Sequence, residues 1–292
     1  MRFGYPPQPI QDYISQRWVR LCGREIDADQ CQWLVGPCGD VDLIADRFIM
    51  RLAHDENLRI ERLASGAGLF ETIDEMNLSA ADRARLRPEI AGFYERTADY
   101  DLEVWSQWCM GFRPFGGMLQ RIYSRRLQQL NVPLRPLDTS RGITSEILKL
   151  RDPVTGGVRY TVWYRVLKAT RHVIYSGVYT TCTLTNGQRC VKVIFPLPRG
   201  SATVIMSISV GPTGELHLES SGRRFGEPGF YFYLTDSRGG HWAKYIRSFR
   251  ERISVFVDDE GTLRADHVLR LWQFRALELH YKMTPTRAGV MA

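Results

Sequence analysis

The feature that most limits this chain is a succession of strand–turn–strand signals through its second half. Asn186-Gly187 lies between the β-forming stretches 178–185 and 188–195, and Asn-Gly so flanked is a strong local hairpin signal. Val158, Tyr160, Val162, Tyr164 and Val166 alternate with the period of a strand that buries one face. Residues 202–209 and 215–220 are joined through Gly211-Pro212-Thr213-Gly214, and Gly229–Thr235 is a further strand. Residues 253–257 meet 262–271 across Asp258-Asp259-Glu260-Gly261, and 275–283 form a last strand. Trp242, Tyr245, Ile246 and Phe249 are spaced for a helix over about 241–250. Consecutive hairpins imply an antiparallel sheet of roughly eight to ten strands, and a twisted sheet of that size curls towards a barrel.

The first half has a different period. Ile10, Tyr13, Ile14, Trp18 and Leu21 recur at helical spacing. After the break at Gly36-Pro37-Cys38-Gly39, Asp40 is a natural cap for a helix carrying Val41, Ile44, Phe48 and Leu52. Ser79 with Asp82 resembles a capping box, Pro88 opens a helix expected to run to about residue 109, and another is expected from about 117 to 130. Residues 131–142 hold two prolines and a glycine and read as a connector. The expected fold class is α+β. A helical region, 1–142, packs as a layer on a large, curved antiparallel sheet formed by 143–292, whether as separate domains or one continuous domain.

Charge divides at the same place. Residues 1–142 carry 18 Arg and no Lys against 20 carboxylates, whereas 143–292 carry 16 Arg and 5 Lys against 12. A basic half attracts an anionic ligand, an acidic protein or a membrane surface. Its cations alternate along strands and no RNA-recognition motif occurs, so no dedicated nucleic-acid function is expected. No apolar run approaches the roughly 18 residues that span a bilayer, and the first residues lack the apolar stretch of a signal peptide. The six cysteines form no C-x-x-C pair. With a two-residue turn at Asn186-Gly187, Cys182 and Cys190 point to opposite faces, so all six are read as reduced thiols of a cytoplasmic protein.

No Walker loop, nucleophile elbow, EF-hand or histidine metal spacing occurs, so neither cofactor nor metal is expected. Candidate chemistry rests on polar residues at apolar positions. In a helix from Pro88, Asp101 falls within the stripe of Ile90, Tyr94, Thr97, Val104 and Trp108, flanked by Trp105, and a carboxylate desolvated there serves as a general acid or base. His267 shares its strand face with Leu263, Ala265, Leu269 and Leu271 and is the second proton-transfer candidate. His217 and His280 point away from the apolar face. Tyr231 and Tyr233 give an apolar wall a polar handle, and Arg223 with Arg224 suits a phosphate or carboxylate. Tyr94, Trp105, Tyr231, Tyr233, Arg223 and Arg224 are therefore the expected ligand-binding residues.

Together these residues favour binding of a hydrophobic small molecule in an aromatic-lined sheet cavity. The reaction expected there is cofactor-independent and non-redox, of cyclase, isomerase or lyase type, on a lipid-like or polyketide-like substrate supplied by an acidic carrier protein. The alternatives are a non-catalytic carrier, and a basic interaction module that docks on an acidic protein or a membrane surface. Oligomeric state is not encoded in any motif.

Overall fold

The structure, a computed structural model, describes residues 9–39, 45–63, 65–109, 111–119, 142–168, 171–236 and 238–286. Five α-helices occur among them: α1 (Ile10–Cys22), α2 (Ala45–Asp55), α3 (Ala80–Arg85), α4 (Pro88–Glu95) and α5 (Arg113–Leu119). The strands are β1 (Arg24–Ile26), β2 (Arg59–Leu63), β3 (Tyr100–Trp108), β4 (Ile143–Arg151), β5 (Val158–Leu167), β6 (Val173–Thr183) and β7 (Arg189–Leu197). They continue as β8 (Gly200–Val210), β9 (Leu216–Glu219), β10 (Gly229–Thr235), β11 (His241–Tyr245), β12 (Phe249–Val257), β13 (Leu263–Leu271) and β14 (Phe274–Pro285).

All of these strands join one antiparallel sheet in the order β2-β4-β5-β6-β7-β8-β9-β12-β13-β14-β3. The sheet forks at β8, whose second edge pairs first with β10 and then with β9. From β10 the side branch continues to β11 and β1. Asp and Gly close the turns where chain reversal demands them. Gly261 takes φ +76° while the Asp258 carboxylate accepts from the amides of Glu260 and Thr262, a side-chain mimic of a backbone turn.

The main path curls around an apolar plug. Phe70, Ile73, Met76, Ile90, Phe93 and Tyr94 pack in one cluster with Ile147, Trp163, Val191, Met206, Leu218 and Leu263 from successive strands. The β14–β3 end of the path also meets β4, β5 and β6 side chain to side chain, since Val104 and Leu279 cluster with Ile143, Leu167 and Ile174. Among the described residues β3 and β4 share no ladder, so the sheet stays open. Outside it, α2 lays Phe48, Ile49 and Ala53 on Leu148, Val162 and Val178. Residues 26–38 cover Tyr231, Tyr233, Cys182 and Cys190.

Several expectations are corrected. The first 142 residues are not a helical layer, because β1, β2 and β3 are built into the same sheet as the later strands. The helix from Pro88 ends at Glu95. Buried Thr97 donates to the Phe93 carbonyl (2.7 Å) and accepts from the Leu69 amide (3.3 Å), and the Asp99 carboxylate takes the Gly66 amide (2.7 Å). These side-chain bonds compete with helix continuation, and the chain leaves as β3. Residues 241–250 are not a helix either. The Asp236 carboxylate closes a turn through the amides of Arg238 and Gly240, and β11 then lies between β10 and β1. The Asn186-Gly187 loop is longer than two residues, with the Leu184 amide on the Gln188 carbonyl, so Cys182 sits directly opposite Cys190 and both share a face. Asp40, Val41, Ile44 and residues 120–141 lie outside the described residues.

Candidate functional site

The expected site residues are not brought together. Asp101 and Trp105 lie on the exposed face of β3, where Leu102, Val104 and Ser106 point inward; a period of two replaces the helical geometry that had grouped them. Trp105 stands beside His280, which hydrogen-bonds Asp266 (2.5 Å) on the outer sheet face. Tyr94 is buried among Phe70 and Phe93 in the plug. Tyr231 and Tyr233 are buried on the opposite side of the sheet, under Trp33 and residues 26–38. Tyr231 donates to the Glu227 carbonyl, and the Tyr233 hydroxyl meets His241 Nδ1 at 2.7 Å. Burial raises the pKa of both phenols. Arg224 is paired within its own loop to Glu227 (2.7 Å), which also accepts from the Arg223 amide (2.8 Å).

His267 does lie on the inward face. Its Nε2 is 2.8 Å from Glu251 Oε2, and the Glu251 amide donates to Ser220 Oγ at 2.8 Å. His217 faces outward, its Nδ1 3.0 Å from Ser254 Oγ.

A different surface stands out at the free side of the forked branch. Helix α1 buries Val19 and Asp12, while Ile10, Ile14, Trp18 and Leu21 are exposed, Leu21 by 80%. Its apolar stripe is therefore largely uncovered by the described residues, with Trp18 at its edge against the sheet. The helix is fixed in that attitude at its end. A side chain at Gly23 would meet the carbonyl oxygens of Val19 and Ala243 at 2.3 and 2.5 Å, so the backbones pack directly there. Lys244 Nζ adds a bond to the Cys22 carbonyl (2.5 Å). Trp18 leans edge-on to Phe232 at 5.8 Å, and Phe232 continues through Phe230 to Phe249 on β12.

Beside α1, Trp18, Lys244, Tyr245, Arg247, Arg250 and Trp272 contribute to an open cleft of about 630 Å3, with no carboxylate in its wall among the described residues. Trp272 is the tip of the β13–β14 hairpin, 64% exposed and at φ +55°. The left-handed region costs a bulky side chain roughly 1–2 kcal/mol. Arg250 stands directly opposite Arg270 across β12 and β13, and like charges so placed oppose pairing. Among the described residues neither Arg247 nor Arg250 has a carboxylate within ion-pair distance.

Sequence reasoning found α1 but not the direction of its stripe. It missed Trp272, because Leu271-Trp272-Gln273-Phe274 holds no Gly or Asn to announce a turn. The arginines opposed across β12 and β13 were readable only once that register was known.

Fold and surface define the class: a curled antiparallel sheet with an exposed amphipathic helix and a cationic, aromatic edge. Over 230 residues, 78% of the chain, it is 26% identical to a Bacillus subtilis (strain 168) protein named uncharacterized membrane protein YndJ. The aligned part spans 40% of that protein's length. No family model and no solved structure matches the chain.

Proposed function

We propose that this chain is a peripheral membrane module that docks α1 and the Trp272 hairpin on an anionic leaflet. The carrying observation is the exposed stripe of Ile10, Ile14, Trp18 and Leu21, fixed beside Lys244 and beside Arg247 and Arg250, which have no carboxylate within ion-pair distance among the described residues. An interfacial helix combines these properties, an apolar face for the acyl boundary and cations for the headgroups. Each basic residue near an anionic surface contributes about 1 kcal/mol. No described helix is long and apolar enough to cross a membrane, so attachment by surface docking suits the fold. Similarity to a protein named as a membrane protein agrees with a place beside a bilayer. Six free thiols favour the cytoplasmic leaflet.

Flotation with phosphatidylcholine vesicles, with and without phosphatidylglycerol, tests this. Binding should require the anionic lipid and weaken with salt. Leu21→Glu and Trp272→Ser should each weaken it by about tenfold, because each removes apolar area from the docking face. Absence of vesicle binding by a folded protein overturns the reading and returns the basic surface to an acidic protein partner.

A second reading is favoured by the inward His267–Glu251 pair, whose carboxylate orients the imidazole as a proton-transfer group requires. Here the chain is a cofactor-independent enzyme, or a carrier, for a lipid-like or polyketide-like molecule inside the sheet. Native mass spectrometry should then show one apolar adduct per chain. A clean protein mass after incubation with fatty acids and polyketide-like compounds rules this reading out.

A further inference from the structure

The cleft between α1 and the β11–β12 connection holds more positive charge than general attraction to a surface needs. Lys244, Arg247 and Arg250 line it, Arg270 stands beside Arg250, and among the described residues no carboxylate enters its wall. The Lys244 ammonium lies 6.0 Å from the centre of the Trp18 ring. Trp18 and Trp272 both line the same opening.

Two local costs are sustained there. The sheet keeps two arginines opposed across β12 and β13, where one neutral residue would relieve the repulsion. The hairpin keeps a tryptophan at φ +55°, where glycine would be unstrained. Costs of this kind persist where the surrounding structure and a function demand them.

We infer that the cleft is a binding site for one phosphomonoester lipid headgroup. This rests on the membrane-docking reading and names the lipid it selects. A phosphomonoester carries about −1.5 to −2 charges at neutral pH and offers three acceptor oxygens. Planar guanidinium forks match those oxygens, and an ammonium supplies a further point charge. A phosphodiester carries one negative charge and leaves part of this cationic set unanswered. With the phosphate on Arg247 and Arg250, the two indoles flank the glycerol end, at the depth where tryptophan prefers the membrane interface.

The full chain should be compared on phosphatidic acid and phosphatidylglycerol vesicles adjusted to equal surface charge. sn-Glycerol 3-phosphate and inorganic phosphate serve as soluble competitors, with tryptophan fluorescence reporting occupancy. The expected result is about tenfold tighter binding to phosphatidic acid, together with one saturable glycerol 3-phosphate site per chain. Arg247→Gln with Arg250→Gln should abolish the preference while leaving the melting temperature unchanged or raised, since a repulsion is relieved. Arg59→Gln, on β2, should change nothing. Equal binding to the two vesicles, or a preference that survives the double substitution, overturns the headgroup site and leaves docking standing. Soluble phosphate binding without any vesicle binding overturns both the lipid source and the docking reading.

Discussion

Lys192 shows how one buried charge sets a pH dependence. It is 4% exposed on β7, and its Nζ donates to the Val35 carbonyl at 2.6 Å. Burial lowers its pKa from 10.5 to about 8. Below that value both folded and unfolded states are protonated, and the fold carries the whole cost of the buried ammonium. As pH rises from 8 towards 10.5 the folded state loses its proton first, so the cost fades. The stability of the wild type relative to Lys192→Met should therefore rise between pH 8 and 10. Urea denaturation of both proteins at several pH values checks it, and a pH-independent difference would remove Lys192 as the cause. Lys192 and the Cys182 thiol act on each other by charge, but between pH 8 and 10 the buried thiols of the folded state stay protonated in both proteins, so the difference reports the lysine there. Cys182 and Cys190 are raised to about 11 and 12, and they act with the opposite sign as pH rises. Trp272 and Arg250 also sit where local preference would not put them, but they are at the surface, where relief by substitution would be simple. That contrast separates the docking edge from Lys192, which is enclosed by the fold.

At the scale of elements, what could be read in the sequence depended on punctuation. β7, β8 and β10 are bounded at both ends by Gly, Pro, Asn or Asp, and β5 and β13 follow glycine turns and alternate, so their existence followed from pattern. β1 and β2 are short, their pairing partners lie far away in sequence, and nothing local distinguishes them from loop or helix. β11 pairs with neighbouring β10 across the Asp236 turn, but its aromatic residues also fit a helical spacing. β3 was misread because Tyr94, Thr97, Val104 and Trp108 also fit a helical wheel. The bonds that stop α4, from Thr97 and Asp99 to Leu69 and Gly66, are tertiary. Of the site, α1 was legible as a helix and the outward directions of His217 and His280 were correct. The direction of α1's apolar stripe was not legible. Periodicity reports which residues share a face, not what covers that face. The inward side of α1 is small Val19 with Asp12, held down through the Gly23 contact and the Trp18–Phe232 ring pair. Those features belong to packing.

For the molecule as a whole, the interleaving of early and late strands decides how it comes apart. β3 ends the main path on β14, β2 ends it on β4, and β1 ends the side branch on β11, so each terminus of the sheet is an N-terminal strand on a C-terminal one. The plug from residues 67–94 contributes to the largest core cluster, and its partners come from nine strands, eight of them after residue 142. Taking the first half away would expose that concave face to water, at about 25 cal/mol per Å2 of apolar surface. It would also leave the ladders of β4, β11 and β14 unpaired on one side. Helical and sheet regions should therefore lose structure together. In urea, tryptophan fluorescence and far-ultraviolet circular dichroism should give coincident transitions, as one cooperative unit requires. Trp18, Trp33, Trp105, Trp108, Trp163, Trp242 and Trp272 sample both halves of the chain, so the fluorescence signal does not favour one of them. Two separated transitions would show that residues 1–142 and 143–292 are stable apart. The docking face would then be divided between them, since α1 and Trp18 come from one half while Lys244, Arg250 and Trp272 come from the other. Vesicle binding would in that case fail at the first transition, well before the sheet unfolds, whereas a single cooperative unit keeps its docking edge until the whole structure is lost.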